Sequence, residues 1–257
     1  MEIVGLIPAG GLASWLGKSP CSKEIFPVQI SDNEKITVLS EHLIHYFKQA
    51  DITQIYFILR KGKWDIPEYY GDGSSHGISI GYLIMNLPFG TPFTLDQAYP
   101  FVRDKIVALG FPDILFKPEN AYTKLSEKLA NGKTDVVLGL FPIPDFRKWD
   151  MVEFDENNLL RNIIIKQDRP DLKFGWTNTI WNPGFTEFMH QYLDKFLKKY
   201  PDGMMRLPDN SVRELYVGDI IQEAILRGLK VDYVKFNEGS SIDLGIPDNL
   251  RRYLKNN

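Results

Sequence analysis

Through the first 141 residues, strand-length apolar runs alternate with helix-length amphipathic stretches, and that order leaves few topologies open. The runs are EIVGLI (2–7), ITQIYFIL (52–59), GISIGYLIM (77–85), KIVALGF (105–111) and DVVLGLF (135–141). They are rich in β-branched and other apolar residues, as expected of strands buried in a sheet. Between the first two, ITVLSEHLIHYFKQAD (36–51) places Ile36, Leu39, Leu43, Ile44 and Phe47 at helical spacing, and TPFTLDQAYPFV (91–102) and AYTKLSEKLANG (121–132) also read as helices. This alternation predicts a three-layer, Rossmann-like α/β fold: a mixed, mostly parallel sheet with helices on both faces.

Beyond Pro142 the pattern changes. MVEFDENNLLRNIIIKQ (151–167) reads as two strands joined by an Asn-rich turn, an antiparallel β insertion rather than a crossover. Helices are expected over 185–200 and 217–229, a strand over 230–236 and a terminal helix over 246–257. PDGMMRLPDNSVRE (201–214) reads as a mobile loop because of its Pro, Gly and Asn content. No repeat or long linker interrupts the chain, so residues 1–257 are read as one domain.

Several function classes drop out on charge and cysteine usage. The net charge of −3 comes from interspersed acids and bases, which gives no footprint for a nucleic-acid polymer. The single cysteine, Cys21, excludes an intrachain disulfide and suits a reducing cytoplasm. The N-terminal apolar run is short and has no basic segment before it, so neither a signal peptide nor a membrane span is expected. His42, His45, His76 and His190 are scattered and read as structural or surface residues.

Gly10 and Gly11 end the first strand in a tight turn, and a little further on SKEIFPV (22–28) places Lys23 just before a second apolar run. PAGG and SKEIFPV, followed in order by YYGDGSSHGISIGYL, LPFGTPFTL, LGFPDILF, VEFDENNLLRNIIIKQDRP and SIDLGIPDNL, make the chain similar to the sugar-1-phosphate nucleotidylyltransferases. The likeness is greatest to their glucose-1-phosphate thymidylyltransferase or uridylyltransferase branch, and it covers nearly the whole chain. It implies a magnesium-dependent transfer of a nucleotidyl group from a nucleoside triphosphate to a sugar 1-phosphate, with loss of pyrophosphate. The alternative it leaves open is a catalytically degenerate homologue that binds a nucleotide or nucleotide sugar. A homo-oligomer is compatible with either.

The resemblance implies catalytic roles for Lys23, Asp113, Lys166 and Asp243, with Asp113 and Asp243 holding Mg2+. It also implies nucleotide contacts from Ala9, Gly10, Gly11, Lys23, Met85, Pro88 and Gly90, and substrate contacts from Asp150 and Lys166. Read as residues alone, the two aspartates also fit turn or cap positions, and the two lysines fit a solvated surface.

Four positions depart from the family pattern. Trp15 stands where an arginine grips the phosphates, and an indole cannot neutralise a triphosphate. Either Lys18 substitutes, the loop closes differently, or turnover is weakened. Met85 stands in place of a base-reading glutamine, Asp150 in place of a glycine near the sugar, and Ile165 in place of a glutamate that accepts bonds from sugar hydroxyls. Base and sugar preference are therefore expected to differ from the thymidine and glucose pair.

Overall fold

In the computed structural model, residues 1–12, 19–29, 36–86, 89–207 and 209–256 are described. Strand β1 (Ile3–Ala9) is followed by the short strands β2 (Pro27–Val28) and β3 (Thr37–Val38), helix α1 (Glu41–Gln49) and β4 (Gln54–Leu59). Next come α2 (Asp65–Tyr70), β5 (Ser79–Ile84), α3 (Thr91–Asp96), α4 (Tyr99–Val102), β6 (Ile106–Leu109) and β7 (Ile114–Lys117). α5 (Ala121–Ala130), β8 (Val136–Pro142), β9 (Asp150–Phe154), β10 (Leu160–Ile165) and β11 (Phe174–Trp181) continue the chain. The last part holds α6 (Pro183–Lys199), β12 (Met204–Arg206), β13 (Val212–Glu214), α7 (Val217–Leu226), β14 (Val231–Lys235), β15 (Ser240–Asp243) and α8 (Pro247–Asn256).

The main sheet runs β10-β9-β11-β6-β1-β4-β5, with β8 also paired to β11 and β14 to β8. The pairings make β1, β4, β5, β6, β8, β9 and β14 point one way and β10 and β11 the other. The expected mixed, mostly parallel sheet and its antiparallel insertion are both present. Side-chain alternation builds a core on each face. Val4 and Leu6 pack with the α6 and α7 side, including Phe185, Ile220 and Ile221, while Ile7 and Ala9 pack with the α1 and α5 side, including Leu43, Phe47 and Leu125. Among the described residues no helix is long and apolar enough to cross a membrane.

Three local expectations change. Ile36 was expected on a helix face, but it is 74% exposed and the helix begins at Glu41. The backbone before α1 is committed elsewhere: Leu39 N donates to Phe26 O at 3.0 Å, Ser40 N donates to Glu24 O at 2.8 Å, and β3 pairs with β2. The 91–102 helix is two helices, each with a proline in its first turn, where a missing N–H costs least. Within segment 201–214, read as a loop, Met204, Met205 and Arg206 pair with Glu214, Arg213 and Val212 as two short antiparallel strands.

The topology locates the site. The chain lays β4 and β5 on one side of β1 and then returns to place β6 on the other. Strand order reverses there, so the loops leaving the carboxyl ends of β1 and β6 diverge and open a crevice.

Candidate functional site

A cleft of about 570 Å³ lies at that switch point, and its lining includes Gly10, Gly11, Lys23, Met85, Gly90, Asp113, Asp150, Lys166 and Asp243. Residues from widely separated parts of the chain therefore meet in one place. One predicted position, Ala9, is fully buried at the end of β1 and does not line it; Pro88 lies outside the described residues, as do Trp15 and Lys18.

Asp113 follows β6, and the antiparallel pairing of β15 with β7 sets Asp243 opposite Ile114. Leu244 N donates to Asp113 O at 2.8 Å, which locks the two segments side by side. A Cβ at Gly245 would collide with Asp113 Oδ2 and stand 2.8 Å from Asp243 Oδ1, so the glycine leaves the space between the two carboxylates free. Burial and the neighbouring Asp113 push the Asp243 carboxyl up to about 7.

Lys23 sits in a single 3-10 turn, Lys23–Ile25, and its Nζ donates to Asp113 Oδ2 at 2.6 Å. Burial works against its charge, but Asp113, with Glu24 and Asp243 behind it, outweighs burial and holds the ammonium above the usual lysine range. Burial likewise opposes ionisation of Asp113, yet Lys23 keeps that carboxyl below the usual range. The turn itself is anchored by Glu24, fully buried, which accepts from Lys63 Nζ at 2.7 and 2.8 Å.

Lys166 follows β10 with φ of 45°, a left-handed backbone that a side-chain-bearing residue adopts only at a cost. Its N–H donates to Trp149 O at 3.2 Å, and its Nζ rests 3.8 Å from the centre of the Tyr216 ring. The Arg213 guanidinium lies 5.0 Å from the same ring and donates to both oxygens of Asp219, at 2.7 and 2.8 Å. Asp150 is the register partner of Ile165 across β9 and β10. Burial pushes its carboxyl up to about 6 against the pull of Lys166.

On the other side of the cleft, Met85 lies over Gly10: a Cβ there would strike the sulfur, which also accepts from Thr94 Oγ1 at 3.5 Å. Gly10 thus gives room to Met85, whereas a Cβ at Gly11 would meet only the end of Lys23, 3.7 Å away. Gly90, at φ of 112°, would bring a Cβ to 2.7 Å from Leu215 O, so it fits the close approach of that chain segment.

Arg60, Trp149, Trp176 and Tyr216 also line the cleft, and sequence reasoning singled out none of them. A signal existed for Arg60, the charged residue directly after the apolar run ITQIYFIL. Asp219 was legible only as an acid in the first turn of a helix, which is how it also serves here, accepting from Tyr216 N at 2.8 Å.

The two aspartates suit a hard divalent cation. Both offer carboxylate oxygens beside Gly245, and burial, with the neighbouring Asp113, disfavours the charge of Asp243, a charge that a cation between the two would offset. Among the described residues no group of three or more His, Cys, Asp or Glu side chains could hold a metal, so any ion here takes its remaining ligands from water or phosphate, as Mg2+ does.

This fold is that of known nucleotidyltransferases. It superposes on a Bacillus anthracis protein described as a glucose-1-phosphate thymidylyltransferase with a TM-score of 0.81, at 22% identity, over 98% of this chain and 94% of that one. It also superposes on a UDP-glucose pyrophosphorylase with a TM-score of 0.76, at 13% identity, over 100% of both chains. No family model matches the chain. In sequence it is 25% identical, over 211 residues and 82% of its length, to the low-salt glycan biosynthesis nucleotidyltransferase Agl11 of Haloferax volcanii. It is 29% identical, over 153 residues and 59% of its length, to the D-glycero-alpha-D-manno-heptose 1-phosphate guanylyltransferase of Aneurinibacillus thermoaerophilus. The matches span 54% and 62% of those two relatives' lengths. The similarity to sugar-1-phosphate nucleotidylyltransferases read from the sequence is thus borne out by relatives that carry such names.

Proposed function

We propose that the chain transfers a nucleotidyl group from a nucleoside triphosphate to a sugar 1-phosphate and releases pyrophosphate. The observation that supports this most is the meeting of Lys23, Asp113, Asp243 and Lys166 at the switch point of the sheet. In the reaction an oxygen of the sugar phosphate attacks the α-phosphorus and pyrophosphate leaves, so no protein nucleophile is required. Two polyanions must instead be held in line, which calls for fixed positive charge and backbone donors.

Lys23 stands at the end of the cleft bounded by Gly11 and offers its ammonium to the triphosphate. Lys166 enters from β10 and offers its ammonium to the sugar phosphate, its direction set by the Tyr216 ring. Both cations are poised before substrate arrives, so neither has to reorganise as charge shifts between phosphates. Asp113 and Asp243 are the residues that would hold Mg2+, which when bound neutralises phosphate oxygens and favours pyrophosphate departure.

The test is pyrophosphate release from purified protein with Mg2+, each common nucleoside triphosphate and a panel of sugar 1-phosphates. Turnover by one pair, lost in Asp113→Asn, supports the reading. No release across the panel with nucleotide binding retained turns it to the degenerate binding homologue, which Met85 over Gly10 favours by taking up space beside the base side of the cleft.

A further inference from the structure

Four cationic and four acidic side chains line the cleft, so as a whole it presents no excess of positive charge to a polyanion. Three of the cations already have company. Lys23 donates to Asp113 at 2.6 Å, the Lys166 ammonium lies 3.8 Å from the centre of the Tyr216 ring, and Lys148 stands 4.0 Å from Asp145. Arg60 is the fourth. Among the described residues its guanidinium makes no hydrogen bond, ion pair or ring contact, although the residue is half-buried. Its place in the cleft is fixed by the sheet. Ala9 and Leu59 are the last register partners of β1 and β4, so Gly10 and Arg60 leave the sheet side by side, and Met85 N donates to Leu59 O at 2.8 Å on the other flank.

A guanidinium only donates, through a planar fork of N–H groups, and so selects a partner that only accepts and carries negative charge. A sugar hydroxyl leaves most of that fork unmet, whereas two oxygens of a phosphate match it. Beside Arg60 lies Gly10, and then Gly11, where a Cβ would stand 3.7 Å from Lys23 Nζ. Lys23 shares its charge with Asp113, so the uncommitted positive charge on this side of the cleft is that of Arg60. We propose that Arg60 grips the terminal phosphates of the nucleoside triphosphate, a cation brought from the end of β4 to a cleft whose glycine loop carries Trp15 rather than an arginine. The inference rests on the cleft being a nucleotidyl-transfer site, but no motif that carries the family resemblance contains Arg60. As the bond from the α-phosphorus to pyrophosphate breaks, its electron pair stays on pyrophosphate, and the guanidinium offsets the charge gathering there.

The experiment is calorimetric titration, with Mg2+, of ATP, GTP, CTP, UTP and dTTP, followed by the diphosphate and monophosphate of whichever binds most tightly. Arg60→Gln is expected to lose about tenfold or more in affinity for the triphosphate while its monophosphate affinity stays within about twofold of wild type, and Arg60→Lys, which keeps the charge without the fork, should fall between. Melting curves without ligand should coincide, because the side chain has no partner in the fold to lose. Equal losses on mono-, di- and triphosphate place Arg60 on the base or ribose, or, with a lowered melting temperature, in a structural role; either result overturns the inference, as does triphosphate binding unchanged in Arg60→Gln. In all three cases the transferase reading stands. No nucleoside triphosphate bound by wild type overturns both.

Discussion

The ammonium of Lys23 and the carboxylate of Asp113 meet at 2.6 Å although 90 residues of chain separate them. The contact joins the end of the cleft proposed to take the triphosphate to the carboxylates proposed to hold the cation. Replacing Lys23 with alanine leaves Asp113 and Asp243 buried together without their shared cation, so both nucleotide binding and stability should fall. A loss on the order of 3 kcal/mol is expected from uncovering a buried charge. Mg2+ should raise the melting temperature of Lys23→Ala more than that of wild type, and Asp113→Asn should show little magnesium response. Equal magnesium shifts in all three proteins would count against the two aspartates as a cation site.

Lys166 should act on a different ligand. Lys166→Ala removes the ammonium beside Tyr216 without touching the Lys23 end of the cleft, so sugar 1-phosphate affinity should drop by about tenfold or more while nucleoside triphosphate affinity is nearly unchanged. Titration of each ligand separately reads the difference. Equal, small losses on both ligands would return Lys166 to the role of a surface cation.

Asp150 makes stability depend on pH with a definite sign. Its carboxyl titrates at about 6 in the folded protein, above its ordinary value, because burial opposes its charge. Between roughly pH 4 and 6 the folded chain keeps a proton that the unfolded chain releases, so this group favours folding at low pH and loses that contribution as pH rises through 6. Asp150→Asn has no charge to bury. It should be more stable than wild type at pH 7.5, by on the order of 2 kcal/mol, and close to wild type at pH 4. Denaturant melts of both proteins at the two pH values decide it, and a gap that does not change with pH would contradict the assignment.

The pair beneath the Lys23 turn offers a purely structural check. Lys63→Met strands the buried Glu24 carboxylate and should cost about 3 kcal/mol or more, whereas Lys63→Met combined with Glu24→Gln should recover much of that loss. A double-mutant cycle from denaturant melts measures the coupling. An additive result would mean that the pair does not hold the turn.

Much of the architecture was legible because it follows from local periodicity. The strands around Val4, Phe57 and Val107 announce themselves as short apolar runs between helical patterns, and right-handed crossovers then leave little choice of layer. Ile36 was misread because its helical spacing is real but the backbone just after it, at Leu39 and Ser40, is bonded to Phe26 and Glu24, a pairing no local pattern reveals. The site divides in the same way. Asp113 follows an apolar strand and stands out, while Asp243 was reached only through resemblance, because its partner lies across the β7–β15 pairing. Tyr216 and Trp176 were invisible for another reason: an aromatic ring beside a cation or a carboxylate looks, in a sequence, like any other core residue.

The β7–β15 pairing also bears on the order in which the molecule becomes competent. Asp113 leaves the ribosome 130 residues before Asp243, and the strand that carries the second carboxylate is the last one in the described chain. While residues 1–235 are emerging, every strand of the main sheet can be laid down with the cation site still half built. Completion then waits on one late edge pairing, so a nascent chain can acquire its sheet well before it brings Asp113 and Asp243 together.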